Sequence, residues 1–192
     1  MATLDTSLTA VKSLTQQWVE QVVVGLNLCP FAAPVVRQPS LMEYAVFDGE
    51  LDQLPAYFLS QLDKLQSQPP EALETALLIV PSHLADFHDY LAMLDTLEGL
   101  ISEAGLEGVI QLASFHPQYQ FAGLPADDIT HWTNRSPYPT FHLLREASLE
   151  KAIAAFGDTE KIPERNMAFF EQLQAKGLIE RFAPFADYAQ SS

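Results

Sequence analysis

The sequence predicts an α/β (or α+β) fold, with a four-stranded mixed sheet covered by about five helices. Three observations predict it. Short apolar runs of strand length alternate with longer stretches whose apolar residues recur every three or four positions. One run, Thr75 to Val80, is almost wholly apolar, as in a strand covered on both faces. The chain of 192 residues is 48% hydrophobic, which suits one domain over residues 1–192 with a core that needs no disulfide.

Val11, Leu14, Trp18, Val22 and Leu26 mark a first helix, capped by Ser7 or Thr6 and ending near Asn27, with Pro30 beyond it. Leu41 to Phe47 reads as the first strand. Leu54, Phe58, Leu62 and Leu65 form one face of the second helix. After the Thr75 to Val80 strand, Pro81-Ser82 opens a long helix with Leu84, Phe87, Leu91, Leu94 and Ile101 as its stripe and Gly105 as its cap. Val109 to Phe115 is the third strand. No regular element fits His116 to Pro139, where five Pro or Gly residues occur. Thr140 to Arg145 is the fourth strand. Ser148 caps a helix ending at Gly157, and Pro163 opens a last helix with Met167, Phe170 and Leu173 inward and Gly177 closing it. The aromatic tail (Phe182, Phe185, Tyr188) is expected to dock on the body, with residues 1–6 and 189–192 as disordered ends. From Thr75 onward the order β-α-β-β-α also fits a fold that is ferredoxin-like in part.

The formal charge is −15. Binding to nucleic acid or to an anionic membrane draws on Lys and Arg, so neither is expected as a partner. The single cysteine, Cys29, fits a reducing compartment. The N-terminus lacks a basic stretch followed by an apolar one, and no apolar run is long enough to span a bilayer. A cytoplasmic location is the expectation. From Leu65 to Asn134 the chain has ten acidic residues and no Lys or Arg; Arg135, Arg145 and Arg165 then follow within 31 residues.

The segment Phe115 to Glu146 concentrates the chemistry. It holds three of the five histidines and two of the five arginines, and its long loop joins two expected strands. Asn134-Arg135-Ser136 suits an anion, because a guanidinium pairs bidentately with carboxylate or phosphate while Asn and Ser add neutral donors. The same residues also suit a turn, with Arg135 paired to Asp127 or Asp128. His142, on a strand, shares a face with Leu144 and Glu146, so the Glu146 carboxylate could orient its ring for acid–base work; His116 is the second choice. His116, His131 and His142 lie 15 and 11 residues apart, which matches no compact metal signature. No cofactor and no metal is expected. Cys29 follows a helix end and has apolar neighbours, which disfavours a thiolate. Arg165 sits in a helix's first turn, the wrong end for a cation unless an anion is held there.

Four strings occur together: Gly25 to Ala32 (GLNLCPFA), Phe115-His116-Pro117 with Tyr119 and Phe121, Thr133 to Glu146 (TNRSPYP then HLLRE), and Ile162-Pro163 with Arg165-Asn166. In these the chain resembles a bacterial family known as domain of unknown function 1415, from Trp18 to about Gly177. The resemblance implies a bacterial cytosolic setting and no particular activity. It groups Cys29, His116, Asn134, Arg135, Ser136, His142, Arg145, Glu146, Arg165 and Asn166 as one candidate site. Three functional readings stand. The first is an enzyme or binding protein for a small anionic metabolite, phosphorylated or carboxylated. Arg135, Arg145 and Arg165, with Asn134, Ser136, Asn166 and Cys29, would line its pocket, and His142 or His116 would move a proton. The second is a non-catalytic interaction or ligand-sensing module presenting Tyr119, Phe121, Trp132 and Tyr138. The third is a metal-dependent hydrolase using His116, His131 and His142.

Overall fold

The computed structural model describes residues 7–156 and 161–185. Thr6, Gly157, Tyr188 and the two expected chain ends lie outside them. Helix α1 (Leu8–Trp18) is capped by Ser7, whose hydroxyl accepts from the Ala10 N–H, and runs directly into a π-helical stretch, Val19–Val24. Then come α2 (Ala32–Val36), β1 (Met42–Val46), α3 (Leu54–Ser67), β2 (Thr75–Ile79), α4 (Phe87–Glu103), β3 (Ile110–Phe115), a 3-10 turn (Ile129–Thr133), β4 (Thr140–Arg145), α5 (Glu146–Phe156) and α6 (Ile162–Arg181).

The four strands form one mixed sheet in the order β1-β2-β4-β3. β1 runs parallel to β2, while β4 runs antiparallel to both β2 and β3. β2-α4-β3 therefore leaves a one-strand gap that β4 fills, the split βαβ arrangement of ferredoxin-like folds. β1 adds a fourth strand beside β2. β2 is central and covered on both faces, which is why all five of its residues are buried.

Strand alternation sends successive side chains to opposite cores. Ala76, Leu78, Phe141 and Leu143 pack with Leu54, Phe58, Tyr90 and Leu97 of α3 and α4. Leu77 and Ile79 pack on the other face with Val11 and Trp18 of α1, Phe170 of α6, Trp132, and Phe182 and Phe185. The tail up to Phe185 thus docks, as expected.

Four boundaries differ from the sequence reading. α4 starts at Phe87, not at Ser82: Leu84 takes φ 60, and Asp86 caps the helix by accepting from the N–H groups of His88 and Asp89. Leu84 belongs to the apolar stripe and is buried in the same core, so periodicity alone extended the helix through it. α5 follows β4 without a linker, so Glu146 and not Ser148 begins it. α6 continues through Gly177 to Arg181. The loop from His116 to Pro139 holds the 3-10 turn, capped by Asp128, which accepts from the Thr130 N–H and hydroxyl. The turns at Asn27 (φ 54) and Gly105 (φ 69) are left-handed, as their residue types imply. Among the described residues, no helix is long and apolar enough to cross a membrane.

Candidate functional site

Small or short side chains face α1, α2 and α5 at one end of the sheet: Thr75 on β2, Ala113 on β3 and His142 on β4. Ala113 and His142 are register partners, and Leu77 is the partner of His142 on its other side. These side chains do not reach the helices above, and a cavity of about 590 Å³ remains. That is the size of a small-molecule site. Its wall is mainly apolar, with Val19 and Val23 of the π-helical stretch, Phe31 and Val36 around α2, Phe115 of β3 and Leu149 of α5. In the π-helical stretch the N–H of Gly25 reaches Glu20 O and that of Leu28 reaches Val23 O, each at 2.9 Å. This wider turn carries one extra residue, and such insertions recur at functional sites.

His142 is the central polar group of the cavity. Its Nε2 lies 2.7 Å from the Thr75 hydroxyl oxygen. That hydroxyl has one proton and donates it to Leu143 O at 2.6 Å. Nε2 must therefore be the donor, which fixes the ring as the Nε2–H tautomer when neutral. Nδ1 then carries a lone pair with no hydrogen-bond partner among the described residues, and the ring forms part of the cavity wall. Burial pushes the pKa of His142 down from 6.5 to about 4, so the ring is neutral at ordinary pH. Glu146 does not orient it. The strand ends at Arg145, and Glu146 lies with Glu98 and Glu107 in a separate groove by Ile110 and Leu112.

Cys29 also lines the cavity. Burial raises the pKa of its thiol, against smaller opposing effects from the Phe31 and Ala32 N–H groups and from Arg165. It stays a neutral thiol and a poor nucleophile. Arg145 borders the cavity, but its guanidinium is spent on carbonyls: Leu65 O, Gln68 O at 2.7 Å and Leu73 O at 3.0 Å. It staples the end of α3 to β4, where a cation suits the exposed carbonyls of a helix C-terminus. Trp18, another wall residue, has a buried indole N–H with no partner among the described residues.

The remaining candidates lie elsewhere. His116 is fully buried beside Phe87 and Tyr90; its Nε2 donates to Leu84 O and its Nδ1 accepts from the Gln118 N–H. His131 is fully buried too, with Nδ1 accepting from the Phe121 N–H and Nε2 donating to Pro125 O. Both nitrogens of each ring are committed to backbone groups, so these rings have no lone pair for a metal or a proton in flight. Among the described residues, no group of three His, Cys, Asp or Glu could hold a metal ion. The three-histidine hydrolase reading is corrected accordingly.

Asn134 donates to Ser114 O on β3, tying the loop to the sheet, and Ser136 donates to Tyr138 O within the turn. Arg165 donates to Asn27 O, and Asn166 to Leu28 O at 2.7 Å, so the first turn of α6 grips the segment that carries Cys29. The cation at this helix start serves backbone carbonyls. Arg135 is buried over the Trp132 ring, 4.8 Å from its centroid. Trp132 and Tyr138 are buried as well, which removes them from the exposed aromatic patch that an interaction surface would need. The strings singled out in the sequence therefore do not form one pocket. Cys29, His142 and Arg145 share the cavity, Arg165 and Asn166 brace its wall from outside, Glu146 begins α5 in a separate groove, and His116, Asn134, Arg135 and Ser136 build the loop.

Sequence reading missed Thr75 and Trp18. The signal for Thr75 was a lone hydroxyl opening an otherwise apolar buried strand, since such a group needs a partner. Trp18 gave no signal beyond its place in the helical stripe.

A family model described as "Protein of unknown function (DUF1415)" matches residues 10–180. No curated protein and no solved structure matches the chain.

Proposed function

The chain belongs to the DUF1415 family, and from that premise we propose that it binds a small, largely apolar, uncharged molecule in the cavity above the sheet, with His142 accepting a hydrogen bond from it. One observation carries the reading: a neutral imidazole with a fixed tautomer, its Nδ1 without a partner among the described residues, in the wall of an apolar cavity. A few placed polar groups in an apolar pocket select ligands by a single donor, such as a hydroxyl or an N–H.

Magnitudes favour binding over proton abstraction. With a pKa of about 4, His142 would take a proton from a hydroxyl of pKa ~10 only at a cost of about 8 kcal/mol. Accepting a hydrogen bond carries no such cost. A charged ligand is disfavoured for a related reason. An anion would lose its hydration, and Arg145 at the rim already serves three carbonyls. The anionic metabolite expected from the three arginines therefore finds no support in this cavity.

The test is a ligand-observed NMR titration with phenol and toluene, which differ by one hydroxyl. Wild type should bind both saturably. His142→Phe should lower the phenol-to-toluene affinity ratio about fivefold to tenfold, the worth of one hydrogen bond. An unchanged ratio, or no saturable binding of either compound, would refute the proposal.

A further inference from the structure

A second site, apart from the cavity, is indicated at Arg135. This side chain is 5% exposed. Its Nε is shut off from solvent without a partner, and its guanidinium makes no hydrogen bond or ion pair among the described residues. Burial lowers its pKa, with no neighbouring carboxylate to oppose the effect. The guanidinium lies over the face of Trp132. Cation–π attraction offsets only part of the cost of removing the charge from water.

Arg145 shows how this chain satisfies a guanidinium from within. Ten residues further on, it donates to three backbone carbonyls. Near Arg135 in the chain, Tyr138 O accepts from both Ser136 and Thr140, Asn134 Oδ1 accepts from the Thr133 hydroxyl, and Asp128 Oδ1 accepts from the Thr130 N–H and hydroxyl; none of these bonds involves the Arg135 guanidinium. A buried charge that the described residues leave uncompensated calls for another partner.

We infer that Arg135, backed by the Trp132 ring, is a receptor for a small anionic group with two oxygens in one plane, a carboxylate or a phosphate. The planar fork of a guanidinium pairs with such a group through two parallel hydrogen bonds, which a point charge cannot do. The aromatic ring behind it holds the fork in one orientation. In a protein of charge −15 the site is local, because the rest of the surface repels anions.

The experiment is thermal unfolding of the full chain with inorganic phosphate, formate or chloride at matched ionic strength. At ten times the dissociation constant, phosphate or formate should raise the Tm by about 3–5 °C beyond chloride. Arg135→Met should lose that increment. A response to phosphate alone assigns a phosphate-like ligand, and a response to formate alone a carboxylate. Equal behaviour of the three salts, or an increment retained in the variant, overturns the inference. Should the variant fail to fold, the Nε–H resonance of Arg135 in 15N-labelled wild type decides the matter. A saturable shift with either anion supports the site, and an unmoved resonance overturns it.

Discussion

On the α3–α4 side of the sheet, Phe58, Tyr90 and Phe141 are shut off from solvent in one core, and Tyr90 and Phe141 stack at 4.6 Å. On the α1–α2–α5 side, the same strands present Thr75, Ala113 and His142 and leave about 590 Å³ unfilled. Both faces use the same alternation, so the backbone does not set the difference. It lies in side-chain volume, and in one polar ring placed where a large aliphatic would fill the space. A face that seals completely stabilises the fold. The other face stays open at one end, beside a neutral acceptor, and this opening is where we propose that a molecule binds.

The contrast can be broken most forcefully by truncation. Phe141→Ala should cost about 3–5 kcal/mol in urea unfolding, because it opens a void in a sealed core. Leu144→Ala, in the cavity wall, should cost less than half as much, since space already lies beside it. Equal losses would show that the two faces are packed alike.

The next effect is one of pH. The folded pKa of His142 is depressed to about 4 from 6.5, so the unfolded chain binds more protons between those values. The contribution is complete above pH 6.5 and is lost as pH falls toward 4, by roughly 3 kcal/mol. His116, also depressed by burial, adds in the same direction from the sealed face. His142→Gln should flatten most of the slope in a stability–pH series. A slope unchanged in that variant would place the neutral imidazole elsewhere.

A smaller effect sharpens the contrast further. Ala76 is buried in the sealed core, and Ala113 lines the cavity. Ala76→Val should destabilise by about 1–3 kcal/mol through overpacking, whereas Ala113→Val should change stability by less than about 0.5 kcal/mol. Matching costs at the two alanines would remove the distinction.

The sealed face was legible in the sequence, because it rests on periodicity: Leu54, Phe58, Leu62 and Leu65 on one helix, and an apolar run at Thr75 to Val80. The strand carrying His142 and the left-handed turns at Asn27 and Gly105 were legible for equally local reasons. The cavity was not. Its wall is assembled from α1, the π-helical stretch, α2, α5 and all four strands, and its volume is set by side chains that do not meet. Nor could residue type reveal that Arg145 serves carbonyls while Arg135, among the described residues, serves none, since that depends on which backbone groups the fold leaves open nearby. His116 and His131 looked chemical in the sequence, yet they act as hydrogen-bonded struts for a loop rich in Pro and Gly that lacks ladder partners of its own.

The most direct measurement is 15N NMR of the His142 ring in the full chain, from about pH 5.5 to 8, with and without phenol. The account predicts a protonated Nε2 and an unprotonated Nδ1 across that range, with the Nδ1 resonance moving saturably as phenol is added. Titration near pH 6.5, or an Nδ1 resonance that ignores phenol, would contradict it.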